Sequence, residues 1–239
     1  ISLQDFWIFT GHCGLPLDCD GWLSKCGNCP HLDYHPSVLI DKTEQNKKYK
    51  NNIFQNLRIN FVSPSEWVNT EIIKLGESLN KNGIHTVIKN SIDTEIFKPG
   101  DKSKIRQNLI LPKDDFIIMA CAVGFKKNYC KDLDTILAAF NILQNEFNDN
   151  LNMKHISLMI VGENSENYRD YQHKDIFFMG SVLHGKELAS FYQAADIFIH
   201  SSPMEPWGLT TSEALSTGLP VLATNVGGLI EQVKGYCFD

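Results

Sequence analysis

The chain has 239 residues, 43% hydrophobic and 21% charged, with a net charge of -6 at neutral pH. That length holds one large domain or parts of two, with apolar residues enough for an ordinary core. The acidic balance leaves no bulk basic field to recruit nucleic acid or anionic lipid, so no nucleic-acid partner is expected. The opening residues do not read as a secretory leader, and no apolar run approaches the roughly 18 residues that a membrane span needs. Seven cysteines, an odd total, argue against a secreted disulfide framework and for a reducing, cytoplasmic setting. The sequence starts without Met in an apolar stretch and stops at Asp239 soon after an apparent helix, which reads as a fragment.

In chain order, residues 1–10 read as a buried strand running into a loop, with Asp5 near its end. An Asp there is a common turn former. Cys13, Cys19, Cys26 and Cys29 then bring four thiols into a short stretch closed by a CxxC. Their number and type suit tetrahedral zinc, but only the second pair has the tight spacing. A redox pair at Cys26 and Cys29, disulfides and unliganded thiols are the other readings. Residues 35–60 are Lys- and Asn-rich and read as a surface helix or mobile loop with a solvated charged face. Residues 59–63 read as a short strand. Ser63-Pro64-Ser65 opens a helix to about residue 79, with Glu66 in its first turn suiting the dipole. Asn82-Gly83 ends that element, and residues 85–89 are the next strand. Residues 98–115 form a connector, broken at Pro99-Gly100, with a short basic helix over 104–109.

From Phe116 the pattern becomes regular. Strands are predicted over 116–122, 155–161, 176–179, 197–200 and 220–224, and helices over 132–146 and 186–194. Strands separated by helices of this length imply an α/β, Rossmann-like doubly wound parallel sheet. Ligands of such sheets bind beyond the carboxyl ends of the strands. Three kinds of loop stand there. Lys126, Lys127 and Lys131 follow the first strand, and would be three surface lysines if the loop is merely solvated. Gly162-Glu163 and Gly180-Ser181-Val182 follow the next two, as ordinary strand-end turns would. Residues 201–233 carry Glu205 and Glu213, eight positions apart, and a Gly227-Gly228 turn. Gly208, Leu209 and Thr210 enter a helix there, and its free N–H groups and positive dipole end suit a diphosphate. Thr210 with Glu213 also fits a capping box, in which Glu213 would only cap its own helix.

The Glu205–Glu213 run, with its EALSTGLPVLATNVGG continuation, resembles the E-x7-E motif of retaining glycosyltransferases of the GT-B fold, family 4 or group 1 type, in the bacterial polysaccharide branch. The resemblance covers nearly the whole chain and is best from Phe116 onward. It implies that the first glutamate, Glu205, faces the transferred sugar and that Glu213, in the first turn of the helix, binds the nucleotide ribose. Lys131, with Lys126 or Lys127 in place of a family Arg, would hold the diphosphate, and Gly180 to Val182 would lie against the base. Gln4-Asp5-Phe6-Trp7 and Thr10-Gly11-His12-Cys13 resemble a family segment whose usual His is Gln4 here; Gln4 carries no charge, and Asp5 would orient an acceptor hydroxyl. FVSPSEWV and the stretch from Gly83 to Pro99 resemble the end of the N-terminal domain and its hinge.

The implied organisation is a partial acceptor-side domain over 1–98, with a hinge near 90–100, and a truncated donor-nucleotide domain over 99–239. The implied activity is transfer of a sugar from a UDP- or GDP-sugar to a polysaccharide or lipid-linked glycan. No catalytic cofactor is expected, the cysteine loop is the one candidate for structural zinc, and peripheral contact with the inner membrane face would run through the missing N-terminal part. The competing readings are a sugar-nucleotide epimerase or storage-glucan synthase, and a non-catalytic module that binds a nucleotide sugar or a partner.

Overall fold

A computed structural model describes residues 1–34, 37–75, 83–125, 128–147, 154–171, 173–182, 185–233 and 237–238. The strands are β1 (Phe61–Ser63), β2 (His85–Val87), β3 (Phe116–Cys121), β4 (Ile156–Val161), β5 (Ile176–Phe178), β6 (Ile197–His200), β7 (Val221–Thr224) and β8 (Cys237–Phe238). The α-helices are α1 (Thr43–Gln55), α2 (Glu66–Lys74), α3 (Lys102–Asn108), α4 (Leu133–Phe147), α5 (Lys186–Ala194), α6 (Leu209–Ser216) and α7 (Leu229–Gln232). They make two compact units. One holds residues 1–90 with 203–207 and 226–231, and the other holds the remainder.

In the first unit β1 and β2 pair in parallel, Phe61 opposite His85. The strand expected over residues 1–10 is reduced to one bridge, Ser2 to Val62. The cause is local: Asp5 Oδ1 accepts the amide of Trp7 at 2.9 Å and starts a 3-10 turn over Trp7–Phe9. Side-chain-to-backbone bonds of this kind compete directly with strand pairing. Ser65 caps α2 by accepting from the Val68 amide, and the helix runs to Lys74; residues 76–79 of the expected span lie outside the described residues. Asn82, the expected stop, lies outside the described residues. The core packs Phe6 tilted against Trp22 and edge-on to Trp67, with ring centroids 5.2 and 5.4 Å apart, and Phe9 edge-on to Phe61. The charged run on α1 is not wholly solvated, because Lys47 is buried and donates to the Trp22 carbonyl.

The second unit is a six-stranded parallel sheet in the order β5-β4-β3-β6-β7-β8. Its central strands are near-continuous apolar runs, as a sheet covered on both faces requires. Ile118 and Ala120 of β3 and Leu158 and Ile160 of β4 pack on Leu133, Ile136, Leu137 and Phe140 of α4. The alternate residues Ile117 and Met119 face the other way and are fully buried, as are Tyr192 of α5 and Phe198 of β6, which meet edge to face. Beneath the sheet, Arg106 is buried and donates to the carbonyls of Ala194, Lys113 and Asp115 and, at 2.6 Å, to Asp196. Chain order reverses between β3 and β6. The ligand crevice of such a sheet opens there, at the carboxyl ends of these two strands.

Candidate functional site

Beyond the carboxyl ends of β3 and β6 the second unit gathers a set of buried polar side chains. Lys131, in the loop before α4, places Nζ 3.3 Å from His200 Nε2 and 3.1 Å from Ser202 Oγ. His200 ends β6; its Nδ1 lies 2.8 Å from Thr211 Oγ1 on α6, and its Nε2 lies 2.9 Å from Ser202 Oγ. An ammonium only donates, so Nε2 must be an acceptor, and the proton sits on Nδ1, donated to Thr211. Ser201 Oγ donates to the Asp132 carbonyl at 2.6 Å, fixing the β6 exit to the start of α4. His200, Ser202 and Thr211 are all buried.

A second chain starts on α5. Tyr192 donates its hydroxyl to Glu213 Oε2 at 2.8 Å, with both side chains buried. Burial, then the nearby Cys121 and Glu213, push the Tyr192 phenol well above its ordinary value. Burial also pushes the Cys121 thiol, at the end of β3, up to about 12, although a hydrogen bond with Tyr192 opposes this. Both groups therefore stay protonated, and Glu213 receives a neutral donor.

The start of α6 differs from the expectation. Its N-cap is Gly208 at φ +91°, with no side-chain cap, so the capping box of Thr210 and Glu213 does not form. Only a residue without Cβ enters this left-handed conformation at low cost. Gly208's carbonyl takes the amides of Thr211 and Ser212 and a bond from Gln232, so that the entry amides ahead of the first helical bond are those of Leu209 and Thr210. The residue positions put Glu213 beyond the first turn, so the dipole argument for it there fails. Its buried carboxylate points instead to Tyr192.

Lys131, Gly208, Leu209, Thr210 and Glu213 thus fall within one unit, around one sheet end. Gly180, at φ +70°, ends the β5 turn and donates its amide to the Glu163 carbonyl, and Val182 follows half-buried. Lys126 and Lys127 lie outside the described residues. Glu205 belongs to the first unit, on segment 203–207. Its carbonyl accepts the Gly228 amide at 2.9 Å, and a Cβ on Gly227 would stand 2.1 Å from that same carbonyl. The glycine pair is what permits this close approach. Asp5 is exposed and engaged in its turn.

The zinc expectation for Cys13, Cys19, Cys26 and Cys29 is not met. Among the described residues no group of three or more His, Cys, Asp or Glu side chains could hold a metal ion, and all four thiols are free. Two physical features account for this. Burial raises Cys26 and Cys29 and pushes Cys13 up to about 11, which favours thiols over thiolates. Positive charge stands beside them instead: Lys47 interacts with Cys26, and Lys50 with Cys26 and Cys13.

His200, Ser202, Tyr192 and Cys121 went unread in the sequence. Tyr192 sits on an apolar helix face and looks like core. His200 offered one signal, a polar residue ending an apolar strand directly before the Glu205 segment.

Residues 117–239 match the family model of the group 1 glycosyl transferases. The chain is 28% identical over 235 residues to WcaC of Escherichia coli K12, named for a glycosyl transferase of colanic acid biosynthesis, covering 94% of this chain and 51% of that protein. It is 32% identical over 160 residues to a D-inositol 3-phosphate glycosyltransferase of Stackebrandtia nassauensis, covering 62% of this chain and 35% of the relative. The chain thus spans about half the length of the first of these relatives and about a third of the second. Among solved structures it resembles WaaG, a glycosyltransferase involved in lipopolysaccharide biosynthesis, with a TM-score of 0.63 at 14% identity over 88% of this chain and 57% of that one. It also resembles Anabaena HepE, solved with UDP and glucose, with a TM-score of 0.59 at 21% identity over 78% and 50%. At these identities the structures speak to the fold, which is the Rossmann-like α/β architecture of GT-B glycosyltransferases. The chain belongs to the group 1 glycosyl transferases.

Proposed function

We propose that this chain is part of a glycosyltransferase that moves a hexosyl group from a UDP- or GDP-sugar to a growing polysaccharide or lipid-linked glycan. The observation that carries the reading is the Lys131 ammonium held by His200 and Ser202 at the switch point of the sheet, tied through His200 to the first turn of α6. A leaving nucleoside diphosphate gains negative charge as the glycosidic bond breaks. One cation about 4 Å away stabilises it by roughly 4 kcal/mol at an effective dielectric near 20, and the helix-entry amides add to this. Glu213 serves the ribose with its orientation set by Tyr192. Glu205 contacts the transferred sugar, where positive charge develops on the anomeric carbon, and the transfer retains configuration. Asp5 orients the acceptor hydroxyl. No metal takes part in catalysis. The reaction belongs on the cytoplasmic side, with lipid-linked acceptors reached at the membrane face.

The test has two parts. Titration calorimetry of this chain against UDP-, GDP- and ADP-sugars should give saturable binding to one of them. The full-length protein should then transfer labelled sugar to a glycan or lipid-linked acceptor with retained stereochemistry. Binding without any glycosyl-acceptor product would favour the non-catalytic module, and interconversion of the free nucleotide sugar would favour an epimerase.

A further inference from the structure

We propose that His200 is a positioning residue for the donor diphosphate, and that its ring acts as a strut holding the Lys131 ammonium in place. This rests on the reading of Lys131 as the phosphate contact given above. The strut runs unbroken from α6 to the ammonium. Thr211 Oγ1 on α6 accepts from His200 Nδ1 at 2.8 Å, and His200 Nε2 accepts from Lys131 Nζ at 3.3 Å. Ser202 Oγ closes a triangle, 2.9 Å from the ring nitrogen and 3.1 Å from the ammonium.

Three elements therefore meet on one imidazole: the β3–α4 loop through Lys131, the β6 exit through Ser202, and α6 through Thr211. The residue is 5% exposed, and the ring's orientation is set further by an edge contact with Phe198 at 6.1 Å. Thr224 on β7 donates to the His200 and Ser202 carbonyls, at 3.4 and 2.6 Å, and so holds the backbone under the ring. Of the neighbouring charged groups among the described residues, Glu213 turns to Tyr192, and the Lys131 ammonium meets the ring.

The chemistry needs an acceptor at that point. A lysine stem has four rotatable bonds, and an ammonium held by a single serine would sample several positions. A neutral imidazole is long enough to receive from Lys131 on one side while donating to the helix on the other. It thereby fixes the cation relative to the helix-entry amides, so that both act on the same phosphates. Preorganisation of this kind lowers the ordering cost paid on binding. A leucine fills the same space but provides neither bond. A glutamine keeps an acceptor and a donor at about the same reach.

The experiment measures, by titration calorimetry, binding of this chain to UDP, GDP and ADP, and then to the nucleoside of whichever diphosphate wild type binds. His200→Leu should weaken the diphosphate about tenfold, the scale of one charge-assisted hydrogen bond, and leave the nucleoside within about twofold. His200→Gln should recover most of the diphosphate affinity. Circular dichroism and the unfolding midpoint report whether each variant is folded. If wild type binds none of the diphosphates, the functional reading fails first. If wild type binds and His200→Leu weakens diphosphate and nucleoside alike, or His200→Gln is no better than His200→Leu, the strut is refuted and His200 is core packing.

Discussion

Removing the Tyr192 hydroxyl tests whether Glu213 is held as an ionised, oriented carboxylate inside the second unit. Tyr192→Phe deletes one oxygen and keeps the ring that packs on Phe97 and Phe198. The lost bond is 2.8 Å long and buried at both ends. A hydrogen bond to a charged group contributes about 1.5–3 kcal/mol net, and Glu213 would keep its buried charge with one donor fewer, so a loss of about 2 kcal/mol is expected. Urea unfolding followed by circular dichroism measures it, and thermal melting should fall by about 4–8 °C for a chain of this size. Glu213→Gln keeps an acceptor but removes the charge. A double-mutant cycle between the two therefore isolates the charge-assisted part, about 1 kcal/mol. An unchanged Tyr192→Phe midpoint, with coupling below about 0.3 kcal/mol, would refute the reasoning and leave the contact as incidental packing.

Lys131→Ala should weaken nucleoside diphosphate far more than nucleoside in the same titration; equal losses would mean that Lys131 acts through folding. Glu205→Gln should leave nucleotide affinity nearly unchanged and lower turnover of the full-length enzyme, as an interaction made mainly in the transition state does, whereas an equal loss of binding would undo the division of roles with Glu213. Asp196→Asn should cost about 3 kcal/mol, the low end for breaking a buried pair with Arg106, because 21% of the Asp196 side chain meets solvent. Burial opposes ionisation of Asp196, but bonds from Lys102, the Ile117 amide and Arg106 outweigh it and hold the carboxyl below its ordinary value. Its contribution is therefore present above about pH 4 and lost as pH falls through the lowered folded value, so the variant should show a flatter acid limb in unfolding midpoint against pH.

Strands β1 to β7, α5 and most of α4 were legible in the sequence, because a sheet covered on both faces demands apolar runs and a packed helix demands a stripe. α5 (Lys186–Ala194) and β6 (Ile197–His200) have the very bounds that this patterning predicts. Lys131 and the Glu205–Glu213 segment were legible through motif and through their places after strand ends. Tertiary structure decided what no local pattern carries. Asp5 took the amide of Trp7 and converted an apparent strand to a turn. Lys47 turned inward among the thiols, where spacing alone suggested a metal.

At the helix entry, Thr210 and Glu213 have the spacing of a cap. The left-handed Gly208 moves the helix start ahead of both, and Tyr192, twenty-one residues away in sequence, claims the Glu213 carboxylate. His200 and Tyr192 gain their roles only through partners on other elements. Periodicity reports which face of an element is buried, and so it determined the sheet and its helices. A hydrogen bond between buried side chains depends on which elements the sheet order sets side by side, and that is known only once the chain has folded.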